Sequence, residues 1–127
     1  MEKRKYVRFS VQDNAFAAIR SEFEKIGKLN DISEKGLSFS YLFENIKVFS
    51  DKNNLEVDIF LSGNGYHLEK VPCKIVYDIK DPKSDKTYNI LKHRCGLQFG
   101  ELNNSQSELL ELFLKNFTTE PLQAGGH

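Results

Sequence analysis

Two short stretches of this 127-residue chain hold side chains whose types and spacing could do chemistry. Near the N-terminus, Arg4 and Arg8 stand four apart in the basic run Lys3-Arg4-Lys5-Tyr6-Val7-Arg8. Farther on lies Asp31-Ile32-Ser33-Glu34-Lys35-Gly36, an Asp-x-Ser-x-x-Gly pattern. Arginine presents a planar fork that pairs bidentately with phosphate or with the O6/N7 edge of guanine, and its plane stacks on a purine. An aspartate accepts from the paired N1 and N2 hydrogens of guanine. A serine hydroxyl and the backbone N–H groups of a tight turn hold phosphate. A ligand carrying both guanines and phosphates would satisfy all of these groups at once.

Each stretch alone also has an ordinary reading. Two arginines near a terminus are solvated charge. Asp-x-Ser-x-x-Gly is a tight turn in which Asp31 and Ser33 bond the local backbone and Gly36 takes a positive φ. What gives the pair meaning is whether the intervening chain brings the two stretches together.

From the basic run to about residue 99 the apolar residues recur with period two, the pattern of antiparallel strands with one wet face. Leu37, Phe39, Tyr41 and Phe43 alternate with Ser38 and Ser40; Leu55, Val57, Ile59 and Leu61 alternate with Glu56 and Asp58. Val71, Cys73, Ile75, Tyr77 and Ile79 form a third apolar row, and Cys95, Leu97 and Phe99 another. Residues 15–20 and 23–32 read as strands of lower contrast. Ser62-Gly63-Asn64-Gly65 is a hairpin turn, and polar loops fall at 51–54 and 81–86. Six strands with short connections predict a mainly β fold, an antiparallel barrel. After residue 102 the period becomes helical: Leu109, Phe113 and Phe117 share a face with Leu110 and Leu114, and Ser105-x-x-Glu108 would cap the start. The expected organisation is a flexible basic arm over residues 1–10, a barrel plus C-terminal helix over 11–117, and a disordered tail over 118–127.

Arg4-Lys5-Tyr6-Val7-Arg8 followed by Asp31-x-Ser33-x-x-Gly36 resembles the PilZ domain. The strand after the turn (Gly36-Leu37-Ser38-Phe39), the late strand Cys95-Gly96-Leu97-Gln98-Phe99 and the C-terminal helix fit the same resemblance, which spans about residues 3–117. It implies a six-stranded antiparallel barrel closed by a helix, and binding of the bacterial second messenger cyclic di-GMP. Arg4 and Arg8 would grip phosphate and guanine, Asp31 and Ser33 a guanine edge and nearby phosphate, and Gly36 would permit the turn. Ligand would order the arm, which then engages a protein partner of the flagellar, motility or exopolysaccharide machinery class. Many members open the arm with a second arginine where this chain has Lys3, a position that bears on whether one or two ligand molecules bind.

Composition narrows the alternatives. Eighteen basic and eighteen acidic residues give a formal net charge of zero. That disfavours a nucleic-acid coat, which needs a basic excess, and a barrel for single-stranded nucleic acid. No apolar run is long enough to span a membrane and the charged start leads into no signal segment, so a cytoplasmic protein is expected. Cys73 and Cys95 read as two buried thiols. His67, His93 and His127 show no metal spacing, although His93-Arg94 could line the ligand site. No catalytic motif is present, so a binding protein without enzyme activity and without a cofactor is expected. The competing reading is an adaptor that keeps the fold and binds only protein.

Overall fold

The computed structural model describes residues 7–20, 25–43, 53–80 and 91–121. The chain forms β1 (Phe9–Val11), β2 (Ala15–Ile19), β3 (Ile26–Ile32), β4 (Gly36–Phe43), β5 (Leu55–Leu61), β6 (His67–Lys80), β7 (Leu91–Phe99), α1 (Asn104–Asn116) and β8 (Thr118–Pro121).

The strands pair in the order β2-β5-β6-β7-β4-β3, and β2 pairs again with β3. Six antiparallel strands therefore close on themselves, which removes the open edges that a flat sheet would leave. β3 is shared between two partners. Its first half, Ile26 to Lys28, closes the barrel against β2, while Asp31 and Ile32 pair with Ser10 and Phe9 of β1. β8 then adds to the outer side of β1.

Alternation explains most of the core. Ala15, Ala17 and Ile19 of β2, Leu37 and Phe39 of β4, and Leu55, Val57, Ile59 and Leu61 of β5 all point inward and are buried. The hairpin at 62–65 forms with Gly63 and Gly65 at φ +87° and +80°, a region that glycine enters at little cost.

Three departures from simple alternation matter. A register shift between Leu29 and Asp31 leaves Asn30 as an extra residue in β3, so that Leu29 and Ile32 both face the core. A second shift between Ile75 and Tyr77 makes Val76 the extra residue of β6. Beyond it the apolar row expected at 71–79 turns outward: Tyr77 is half-buried and Ile79 is 52% exposed. Asp78 instead accepts from the Tyr41 hydroxyl at 2.8 Å. A third shift lies between Val57 and Ile59, opposite Lys70 at φ +58°, and the Lys70 amide donates to Asp58 at 2.9 Å.

The helix closes the barrel. Leu110 and Phe113 join the core, and the Tyr66 hydroxyl donates to the Leu109 carbonyl at 2.6 Å. The helix begins earlier than Ser105-x-x-Glu108 predicts. Asn103 is the N-cap and Gln106 completes the capping box, with the Gln106 amide to Asn103 Oδ1 at 2.7 Å and the Asn103 amide to Gln106 Oε1 at 3.0 Å. The Gln106 side chain also donates to the carbonyls of Glu69 and Lys70. Asparagine and glutamine meet the same donor and acceptor requirements as serine and glutamate, and only Gln106 is placed to tie the helix to β6 as well.

The expected termini need correction. Phe9 and Ser10 belong to β1 rather than to a flexible arm, and 118–121 form β8 rather than a disordered tail, because each strand supplies the other with an antiparallel partner. The start of the expected arm, the loop at 81–86 and residues 122–127 lie outside the described residues. No helix among the described residues is long and apolar enough to cross a membrane.

Candidate functional site

The β1–β3 pairing decides the geometry. With Phe9 opposite Ile32 and Ser10 opposite Asp31, the residue entering β1 is carried to the end of β3. Arg8 Nη1 lies 2.5 Å from Asp31 Oδ1. The Arg8 side chain is 28% exposed and that of Asp31 9%, so a half-open cation meets an almost closed carboxylate. Such a charge-assisted bond is stronger than a neutral one. The two stretches singled out in the sequence thus meet in space through Arg8 and Asp31. Lys3 and Arg4 lie outside the described residues.

The turn itself is rigid. The Ser33 amide donates to the Gly36 carbonyl at 2.8 Å, and the Phe99 amide to the Lys35 carbonyl at 2.8 Å. The Ser33 hydroxyl accepts from the Lys35 amide at 3.2 Å and donates to the Gly36 carbonyl at 3.5 Å. Ser33 is buried and its hydroxyl serves the turn. Gly36 does not take the positive φ expected of it. It is required for a different reason: a Cβ there would stand 2.2 Å from the Leu97 carbonyl oxygen, where β4 and β7 cross closely.

Two hollows differ in charge, and only the first is lined by residues of the turn. One, of about 500 Å³, lies between the turn and α1 and is lined by Glu34, Glu101, Glu108 and Glu111 with Lys35. Four carboxylates there would repel a phosphodiester. The other, of about 370 Å³, lies on the outer barrel face and is lined by Lys28, Asn30, Ser40, Leu42 and Lys92 among others. It carries two cations and no acid in its lining, although Lys28 is paired with Asp13 at 3.0 Å. Of the two hollows, only the one on the outer barrel face has no carboxylate in its lining, and it lies farther along β3 and β4 than Asp31.

His93 does not reach this site. It pairs with Tyr41 in register, five residues along β4 from Gly36, or about 16 Å at the usual strand rise. There its ring is tilted against that of Tyr41, with centroids 5.3 Å apart, and lies 3.4 Å from Asp78. Arg94 sits exposed between Ser40 and Ile79 on the outer face. The residues that sequence reasoning missed are those of the outer row, Ser38 and Gly96 beside Asp31. Both are buried, and small residues inside an alternating run carry no signal of their own. Among the described residues no cluster of His, Cys, Asp or Glu is arranged to hold a metal.

A family profile described as the PilZ domain matches residues 2–116. The chain belongs to the PilZ domain family. Its fold matches solved PilZ-containing structures. The PilZ domain with c-di-GMP of YcgR from Escherichia coli superposes with a TM-score of 0.67 at 11% identity, over 91% of this chain and 92% of that one. The K. pneumonia MrkH–c-di-GMP complex gives 0.66 at 16% identity, over 91% and 52%. The Bacillus subtilis inhibitor of motility (MotI/DgrA) gives 0.59 at 21% identity, over 91% and 51%. This PilZ chain thus spans about half the length of MrkH and MotI. No curated protein sequence matches it.

Proposed function

We propose that this PilZ domain is a receptor for cyclic di-GMP that binds the nucleotide without transforming it, in the bacterial cytoplasm. The observation that carries the reading is the contact of Arg8 with Asp31, which joins the two stretches of the motif in space. Membership of the PilZ family and the c-di-GMP complexes of YcgR and MrkH support it.

The geometry suggests how binding would work. Guanine offers two adjacent N–H donors, and a carboxylate reads them best with both oxygens. Arg8 donates to Asp31 Oδ1. A guanine entering from the outer face competes for Oδ1 and releases the Arg8 fork toward phosphate or the base O6/N7 edge. Arg4 and, more weakly, Lys3 would add to the cationic grip. Gly36 and Ser33 would set the turn and its amides near a phosphate. The arm then becomes ordered around ligand, and that ordering is what a partner protein would sense. Partners of the flagellar, motility or exopolysaccharide machinery class fit, and the similarity to MotI, an inhibitor of motility, supports this class.

Isothermal titration calorimetry with cyclic di-GMP, and with cyclic di-AMP as control, tests the reading. Saturable heat with only the guanine ligand is expected. Arg8→Ala should abolish or greatly weaken it, and Asp31→Ala should reduce discrimination between the two ligands. No binding at high micromolar ligand would overturn the receptor reading and leave a protein-interaction adaptor in its place.

A further inference from the structure

The geometry points to one outer face of the barrel as a docking surface for an anionic phospholipid bilayer. The face is formed by β3, β4, β7 and the part of β6 that pairs with β7, residues 73–80. The inference goes beyond the receptor reading and does not depend on it.

Strand pairing fixes which side chains point out. Lys28 of β3 is opposite Ser40 of β4, Ser40 is opposite Arg94 of β7, and Arg94 is opposite Ile79 of β6. Their chain neighbours Leu29, Phe39 and Cys95 are buried in the core, so this row faces away from it. Farther toward the same barrel end, Leu42 is opposite Lys92, and Ile26 and Leu42 both line the hollow of about 370 Å³. Beyond the Asp31 row in the other direction, Lys74 is opposite Gln98.

Charge is sorted over the molecule. The chain has a formal net charge of zero, yet the outward positions of this face carry the cations Lys28, Lys74, Lys92 and Arg94. Their one acid is Asp31, which is buried and paired with Arg8. Four glutamates gather elsewhere, round the hollow between the turn and α1. Lys28 pairs with Asp13, but both side chains are exposed, and a pair of that kind is weakly held.

Apolar exposure is concentrated on the same face. Six large apolar side chains are exposed among the described residues, and four of them, Ile26, Leu42, Val76 and Ile79, belong to it. Leu42 is 63% exposed and Val76 61%. The bulge at Val76 turns the β6 pair outward, as bulges re-aim side chains. Apolar residues scattered singly over a surface need no explanation, whereas four of six on one cationic face mark an interaction surface.

A bilayer is the occupant that this combination fits. Aliphatic tips set among basic side chains lie at the boundary between headgroups and acyl chains, where anionic headgroups attract each Lys and Arg. A lysine stem covers apolar surface while its ammonium stays in water. Protein interfaces favour another composition: they are depleted in lysine and centred on aromatic and arginine anchors seated in pockets. Here three of the four cations are lysines and all four exposed apolar side chains are aliphatic. The wall of a closed barrel is also convex, so its tips meet a soft surface without a matching groove.

The test is co-sedimentation of the whole chain with vesicles, made either of phosphatidylcholine alone or of equal parts phosphatidylcholine and phosphatidylglycerol. The parent should sediment with the mixed vesicles and not with the neutral ones, and rising salt should release it. Arg94→Gln and Lys74→Gln should each lower the partition coefficient about fivefold, the effect of one basic residue near an anionic surface. Lys115→Gln, the same change of net charge placed on α1, should leave it unaltered. Leu42→Asn should weaken binding without changing its salt dependence, since every charge remains. All four positions are exposed, so these variants should keep the parent's urea midpoint. A parent that stays in solution with the mixed vesicles would overturn the docking. Equal losses in Lys115→Gln and Arg94→Gln would also overturn it, because net charge and not this face would then govern binding. Retention of the parent on immobilised polyglutamate, with no sedimentation on mixed vesicles, would overturn it and give the face to an acidic protein.

Discussion

The carbonyl oxygen of Leu97 occupies the space that a side chain at Gly36 would need, 2.2 Å from where a Cβ would project. The β3–β4 turn is fixed from this point, because the preceding residue, Lys35, accepts through its carbonyl from the Phe99 amide. Gly36→Ala must push β4 and β7 apart, and overpacking of this kind costs about 1–3 kcal/mol. Chemical denaturation should show that loss, and nucleotide titration should show weakened binding as the turn shifts beneath Asp31. An alanine variant as stable as the parent would mean that the strands separate freely here.

Ser38 sits beside this turn, fully buried, and its hydroxyl has no hydrogen-bond partner among the described residues. A buried hydroxyl without a partner has lost its water without compensation, which costs about 1–3 kcal/mol. Ser38→Ala should therefore leave stability unchanged or raise it, in contrast to most buried substitutions. Urea unfolding of the two proteins checks this. A clear loss of stability would show that the hydroxyl has a partner in solution.

The six barrel strands and the helix were legible from periodicity because each has one dry face. What was not legible lies where an extra residue resets the alternation. The sequence from Val71 to Ile79 reads as one inward row, yet after Val76 its apolar side chains face out and Asp78 takes the position that alternation reserves for an apolar residue. Nothing local marks a bulge; the pairing with β7 decides it. The site was half legible. The residue types at Arg8, Asp31 and Ser33 suggested a guanine and phosphate chemistry, and the β1–β3 pairing brings Arg8 to Asp31. Ser33 bonds the local backbone, as a tight turn of this pattern predicts, but the reason for Gly36 depends on a neighbour distant in sequence, Leu97, and so could not be read from the motif. β1 and β8 were missed because three- and four-residue strands show too little alternation to be recognised, and each exists through the other.

Asp58 gathers Arg20 at 2.8 Å, the His67 ring at 3.0 Å and the Lys70 amide at 2.9 Å. Partial burial pushes its carboxyl up, but the Lys70 amide, His67 and Arg20 outweigh this and hold it below the ordinary 3.8. A carboxylate with a lowered folded-state value stabilises the protein fully above its unfolded value, and loses that contribution as the pH falls through the folded one. Asp58→Asn should be less stable than the parent at neutral pH, and the difference should shrink below about pH 4. Thermal unfolding over an acid pH series reads this directly. A difference that does not change with pH would mean that the charge of Asp58 contributes nothing.

The helix gives the sharpest contrast between pattern and packing. By periodicity Phe113, Leu110 and Leu114 all belong to the apolar stripe. In the fold Phe113 is fully buried, with its ring 5.4 Å from that of Tyr66 and 5.8 Å from that of Phe117, while Leu114 is only half-buried. Phe113→Ala opens a cavity where the helix closes the barrel and should cost about 3–5 kcal/mol. Leu114→Ala removes a side chain that keeps part of its surface in water, so its cost should fall below the about 2–5 kcal/mol of a fully buried leucine. Denaturant midpoints for the two variants, with equal slopes as a check on the folded state, rank them. If Leu114→Ala proved the costlier change, the helix would seat on the barrel through the face of Leu114 rather than that of Phe113, and the acidic hollow beside the turn would be closed rather than open.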